Sequence, residues 1–249
     1  SLLTGMLHPD AVVDNSGLRL GRATANATWG NAASVLVGDF LHSRAFEMMV
    51  EIGNLEVMGL LSKATNGIAE GEVQQLTYLR NPDISEAMYF DVIYRKTALL
   101  FEVAAHSGVA LSGADSHVKI ALQTYGKELG MAFQLMDDVL DYEGKTGELG
   151  KNVGDDLAEG KVTLPLIIAL ASGSRDQQTL IRSTITDAEA EPDFEAIIEA
   201  VRLSGGIDRT IGQAQQHRDL ALDQLNMIDG SPFKTALSQL ICLSVDRQT

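Results

Sequence analysis

FQLMDDVLDYEGKTGELGKNVGDDLAEGK, residues 133–161, is an apolar helical run that ends in Asp137, Asp138 and Asp141 and then enters a Gly-rich loop holding Lys151, Asp155, Asp156 and Lys161. Positions i and i+4 of a helix share a face, so the carboxylates of Asp137 and Asp141 project into one space. Three acids at a helix C-terminus are locally unfavourable, because the macrodipole there already prefers cations. A cation between them removes the conflict. Mg²⁺ suits the position, since it takes oxygens from one or two carboxylates and keeps its other sites for water and phosphate. The lysines just beyond then face the phosphates. A solvated acidic surface is the alternative reading of the same residues.

Outward from this stretch the pattern is helical almost everywhere, with five prolines and no convincing alternating strand. An all-α fold follows. Helices are predicted over Ala23–Val50, Leu55–Leu79, Ser85–Gly108 and His117–Asp141, the last carrying Gly126 and Gly130 at about 1 kcal/mol each unless packing requires them. Val162–Ser172 is a buried apolar helix with Pro165 in its first turn. Amphipathic helices over Gln177–Asp187, Phe194–Ser204, Ile207–Met227 and Pro232–Val245 complete the chain. No linker or repeat divides residues 1–249, and a single helical domain is expected. The apolar run at SLLTGMLHPD starts without a cap, which leads us to expect further helices upstream.

With 34 acidic against 19 basic side chains the net charge is −15, which argues against nucleic acid or an anionic membrane surface as the main partner. Cys242 is the single cysteine, so no disulfide forms within the chain and a reducing, cytoplasmic setting is the default. No apolar run approaches the ~18 residues of a membrane span, and stable membrane insertion is not expected.

HPDAVVDNSGLRLGRATAN, residues 8–26, holds a second i, i+4 pair, Asp10 and Asp14, followed by Arg19 and Arg22. One such pair occurs by chance on many surfaces. Two pairs, each at the end of an apolar helix and each followed by basic residues, are a pattern for holding several Mg²⁺ ions around a diphosphate.

GRATANATWGNAASVLVGDF, IAEGEVQQL, Lys96-Thr97, FQLMDDVLD and LGKNVGDDLAEGKVTLP occur in this order, and together they resemble the trans-polyprenyl diphosphate synthases, closest to the bacterial octaprenyl diphosphate synthases. The resemblance covers essentially the whole chain. It implies an isoprenoid-synthase helical bundle around a deep central cavity, usually a homodimer. The implied enzyme condenses isopentenyl diphosphate with an allylic diphosphate, giving a long all-trans polyprenyl diphosphate such as the side chain of an isoprenoid quinone. Three Mg²⁺ ions grip the allylic diphosphate, and an apolar cavity keeps water from the allylic cation.

Carried over by motif, Asp10, Asp14, Asp137 and Asp141 become metal ligands, with Asp138 in support and Asp156 in an outer shell. Arg19, Lys96, Thr97, Lys151 and Lys161 contact the diphosphate, and Gln134 lines the same mouth. Lys96, Lys161 and Gln134 are the candidate catalytic residues. Phe40, Leu41 and Phe46 are candidate tunnel walls. Two positions depart from the family pattern. Ala11 stands where the first motif has its second aspartate, and Leu20 where paired arginines precede Gly21. A GGKR-type segment for the second substrate is not in this sequence. These departures keep open a non-catalytic or regulatory subunit of a prenyl synthase, and a class I terpene cyclase, which shares the fold and the Mg²⁺ chemistry, is a further reading.

Overall fold

The computed structural model describes residues 18–19, 22–143, 154–187 and 193–246. They group into two compact units. The first runs as far as Gly59; the second takes up Leu60–Glu143 and Gly154 onward.

In the first unit a short antiparallel ladder pairs β1 (Leu18–Arg19) with β2 (Arg22–Ala23), in the register Leu18↔Ala23 and Arg19↔Arg22. The sequence pattern, too short here to alternate, gave no sign of it. Thr24 then caps α1 (Ala25–Trp29), accepting from the Ala27 amide at 3.4 Å. The long helix expected from Ala23 breaks at Gly30, whose φ of 84° only glycine adopts without strain. It restarts as α2 (Asn31–Ile52). Ser34, Gly38, Ala45 and Met49 form its buried stripe, spaced by four, seven and four residues. Its other face leaves Leu36 68%, Phe40 65% and Val50 63% exposed.

The second unit is built on α6 (Ser116–Glu143), 28 residues buried on most sides, with Tyr125, Leu129, Ala132, Leu135, Met136, Val139 and Tyr142 in the core. Before it come α3 (Leu55–Tyr78), which begins in the first unit, then α4 (Glu86–Ile93), a π-helical turn (Tyr94–Ala98) and α5 (Leu99–Ser112). Ser85 caps α4 by accepting from the Met88 amide at 3.2 Å. Glycines let α6 lie directly on this segment. A Cβ on Gly126 would meet the Phe101 carbonyl oxygen at 2.5 Å, and one on Gly130 would meet Ala98 Cα at 2.5 Å.

After α7 (Asp155–Ala158), α8 (Leu164–Ser172) has Pro165 in its first turn and is buried along Leu164–Ala169. A capping box of Ser174 and Gln177 opens α9 (Arg175–Thr186). Helices α10 (Phe194–Leu203), α11 (Gly206–Leu225) and α12 (Pro232–Val245) close the unit. The all-α expectation holds, apart from the two-residue ladder.

Four phenols are fixed in this unit. Tyr125 donates to the Leu237 carbonyl at 2.9 Å, Tyr142 pairs with the Thr163 hydroxyl at 3.1 Å, and Tyr89 and Tyr94 donate to carboxylates. Burial is the main cause that pushes Tyr94 and Tyr125 up to about 12, and Tyr89 and Tyr142 well above the usual phenol value.

Two outcomes follow from this packing. Gly130→Val drives a side chain into backbone and should destabilise the protein by about 1–3 kcal/mol in urea melts; an unchanged midpoint would show that α6 does not lie on the π-turn. Above pH 10 the unfolded chain releases phenolic protons that the native chain keeps, so stability falls as pH rises from 10 to about 12. Absorbance of the native protein at alkaline pH should show Tyr89, Tyr94, Tyr125 and Tyr142 ionising late, and prompt ionisation would contradict their burial.

Candidate active site

The last turn of α6 separates its three aspartates by direction. Asp137 and Asp141 are half-buried, whereas Asp138 is 2% exposed. Position i+1 points about 100° away from the face shared by i and i+4, which turns Asp138 inward. Its Oδ2 accepts from the Tyr89 hydroxyl at 2.5 Å and its Oδ1 from Gln134 Nε2 at 2.8 Å. Burial, then the charge of Asp156, push the Asp138 carboxyl well above the usual carboxylate range. The bonds from Tyr89 and Gln134 oppose that rise, and the charge of Asp137 adds to it. Negative charge is therefore concentrated at this helix end, as the sequence required.

The network continues into the π-turn. Gln134 Oε1 accepts from the Thr97 hydroxyl at 2.8 Å, so a continuous chain runs Thr97, Gln134, Asp138, Tyr89. Lys96 turns to α3, where its ammonium meets Glu72 at 3.0 Å and Gln75 at 2.8 Å. Glu72 and Gln75 interrupt an apolar helical pattern; that polarity was the signal for their role. Arg95, on the outer side, pairs with Asp91 and Glu70. A π-turn inserts one residue into a helix and is commonly found at functional sites. Here it places Lys96 and Thr97 toward different partners.

The loop beyond α6 returns to the same helix end. The Gly154 amide donates to the Asp141 carbonyl at 3.0 Å, and the Lys161 amide donates to the Asp156 carbonyl at 2.9 Å. The Lys161 ammonium lies 2.5 Å from Glu159 and 3.7 Å from Asp156. The Arg80 amide donates to the Gly160 carbonyl at 2.8 Å, tying the end of α3 to the turn before Lys161.

Of the site residues expected from the sequence, the structure thus brings together Thr97, Gln134 and Asp138, and sets Asp156 close enough to act on Asp138. Lys96 sits against Glu72 and Gln75, and Lys161 against Glu159 and Asp156. Asp10, Asp14 and Lys151 lie outside the described residues, as does the side chain of Arg19; its backbone belongs to β1. Phe40 is open to solvent, and Leu41 and Phe46 are half-buried. Tyr89 and Glu159 were not foreseen. A tyrosine at a helical core position carries no sequence mark that distinguishes an anchor from filling.

Among the described residues no group of three or more carboxylates, histidines and cysteines is already gathered into a metal centre. Asp137 and Asp141 nevertheless fit a hard divalent cation, offering two carboxylates from one helix face in a locally negative field. Asp138 fits that role poorly, with its two oxygens engaged by the buried Tyr89 and the half-buried Gln134.

A profile of the family described as Polyprenyl synthetase matches residues 2–201. The chain is 47% identical over 242 residues to the octaprenyl diphosphate synthases of Haemophilus influenzae and Escherichia coli, covering 97% of its own length and 73% and 75% of theirs. A solved polyprenyl synthase of Caulobacter crescentus CB15, complexed with calcium and isoprenyl diphosphate, matches it with a TM-score of 0.94 at 42% identity, over 100% of this chain and 76% of that one. The resemblance read from the motifs is borne out: this chain belongs to the polyprenyl synthetase family.

Proposed function

We infer that the chain is a trans-polyprenyl diphosphate synthase, a prenyltransferase that extends an allylic diphosphate with isopentenyl diphosphate into a long-chain polyprenyl diphosphate. The observation that carries this is the end of α6, where the half-buried Asp137 and Asp141 share one helix face beside a hydrogen-bonded chain leading to Thr97. The family match runs through both compact units, and we take them as parts of one synthase domain.

Asp137 and Asp141 hold a divalent cation in this reading, and Asp10 and Asp14 hold the others of a three-ion set. Mg²⁺ is proposed; the Caulobacter crescentus neighbour pairs calcium, another hard cation, with its isoprenyl diphosphate. When bound, the metal neutralises charge on the departing diphosphate. Lys96 and Lys161 bind the remaining phosphate charge, with Arg19 and Lys151 assisting. Fixed cations of this kind stabilise a leaving anion because they are oriented before it forms. Thr97 and Gln134 orient the mouth, and Asp138 braces it from within.

A homodimer is also proposed. The apolar face of α2, with Leu36, Phe40 and Val50 exposed, is what supports it. A cytoplasmic location accompanies it, since these 249 residues contain one cysteine and no internal disulfide to protect.

Incubation with labelled isopentenyl diphosphate, farnesyl diphosphate and Mg²⁺ should give labelled products longer than the primer, and chelation should stop their formation. Lys161→Ala should lower kcat/KM for the allylic substrate by about 10²-fold. No elongation by folded protein would leave the fold and remove the activity. In sedimentation the chain should run at twice its monomer mass, and Phe40→Lys should return it to the monomer; a monomeric parent would refute the dimer.

A further inference from the structure

We propose that Tyr89 is a positioning residue for the aspartate motif: its phenol holds Asp138 inside the unit as a strut, leaving Asp137 and Asp141 as the carboxylates offered to a cation. This rests on the metal and diphosphate reading above and assigns a role to a residue outside every motif. Tyr89 comes from α4, 49 residues before Asp138 in sequence, and is 5% exposed. Its hydroxyl donates to Asp138 Oδ2 at 2.5 Å, within the interior of the unit.

The direction of each bond in the chain matters. Thr97 donates to Gln134, Gln134 donates to Asp138, and Tyr89 donates to Asp138 from the other side. Asp138 is thus the terminal acceptor of two inputs, one from α4 and one from the π-turn. It fixes the rotation of α6 at the turn that carries the half-buried Asp137 and Asp141. Without the Tyr89 bond, Asp138 is free to swing toward the cation, and the two-sided separation of the motif is lost.

The same bonding separates a strut from a ligand. In Asp138→Asn the new amide still accepts from Tyr89. The Gln134 amide can turn over, accepting from Asn at 138 and donating to the Thr97 hydroxyl. A strut therefore tolerates loss of its charge, whereas a metal ligand does not.

The test is calorimetric binding of inorganic pyrophosphate to the full chain at a series of Mg²⁺ concentrations, with thermal melts in the absence of metal reporting on folding. Tyr89→Phe should raise the Mg²⁺ concentration for half-saturation about tenfold, the lower end of what removing an outer partner of a metal ligand costs. A purely structural role would lower the melting temperature and leave that midpoint unmoved. Asp138→Asn should shift the midpoint by no more than Tyr89→Phe does, and Asp137→Asn should lose binding. An unchanged midpoint in folded Tyr89→Phe, or a loss in Asp138→Asn as large as in Asp137→Asn, overturns the assignment; the second comparison decides it alone if Tyr89→Phe does not fold. Failure of the parent protein to bind pyrophosphate with Mg²⁺ would instead sink the reading on which the assignment rests.

Discussion

The contact of Gly130 with Ala98 governs the geometry of the site, because it sets the distance between α6 and the π-turn. With no Cβ at 130 the two backbones approach until only hydrogen-bonding side chains fit between them. One turn further along α6, Gln134 then reaches Thr97 at 2.8 Å. A normal helical turn at 94–98 would rotate Lys96 and Thr97 relative to each other's partners, and the close approach would bring the wrong residue to Gln134. The glycines cost helix propensity, and the core they permit repays it in precision rather than in area buried.

That precision allows carboxylates to be crowded at the unfavourable end of a dipole. Asp138 is desolvated, lies near two other acids, and is kept in place by two donors. Removing one partner of such a group leaves a buried acceptor unsatisfied, at about 1–3 kcal/mol. The crowding is thus sustained by the α4 and π-turn side of the unit, while Asp137 and Asp141 remain half-exposed on the other. A helix end that looks like one acidic cluster in sequence is two environments, inward and outward, set by a 100° step.

Most of this fold was legible in the sequence because helical periodicity is a local property. The bounds of α12 coincide with the prediction, and those of α8 and α10 differ by one or two residues. The failures are also local in cause. Gly30 falls inside the helix expected over Ala23–Val50, but its positive φ breaks that helix. The π-turn leaves the apolar spacing almost intact, so periodicity passes over it. Paired aspartates and the Lys96-Thr97 step announce themselves by type and spacing. Tyr89 does not, since its role arises between elements far apart in sequence, and only packing brings it to Asp138.

The cations show how an acidic chain prepares for an anion. Lys96 rests against Glu72 and Gln75, and Lys161 against Glu159 and Asp156. These three carboxylates and one carboxamide hold the ammonium groups in one orientation and spare them the entropy of fixing a long side chain when ligand arrives. They also weaken binding, since a phosphate must displace or outcompete a charged partner. A singly charged anion gains little over the carboxylate it replaces. In the proposed function, a diphosphate that reached both lysines and brought its own cations to Asp137 and Asp141 would offset the loss at several points at once. On that proposal the arrangement would favour the polyvalent, metal-bearing ligand over simple anions, most strongly as charge builds on the departing diphosphate, when interactions with fixed cations are worth more than in the ground state.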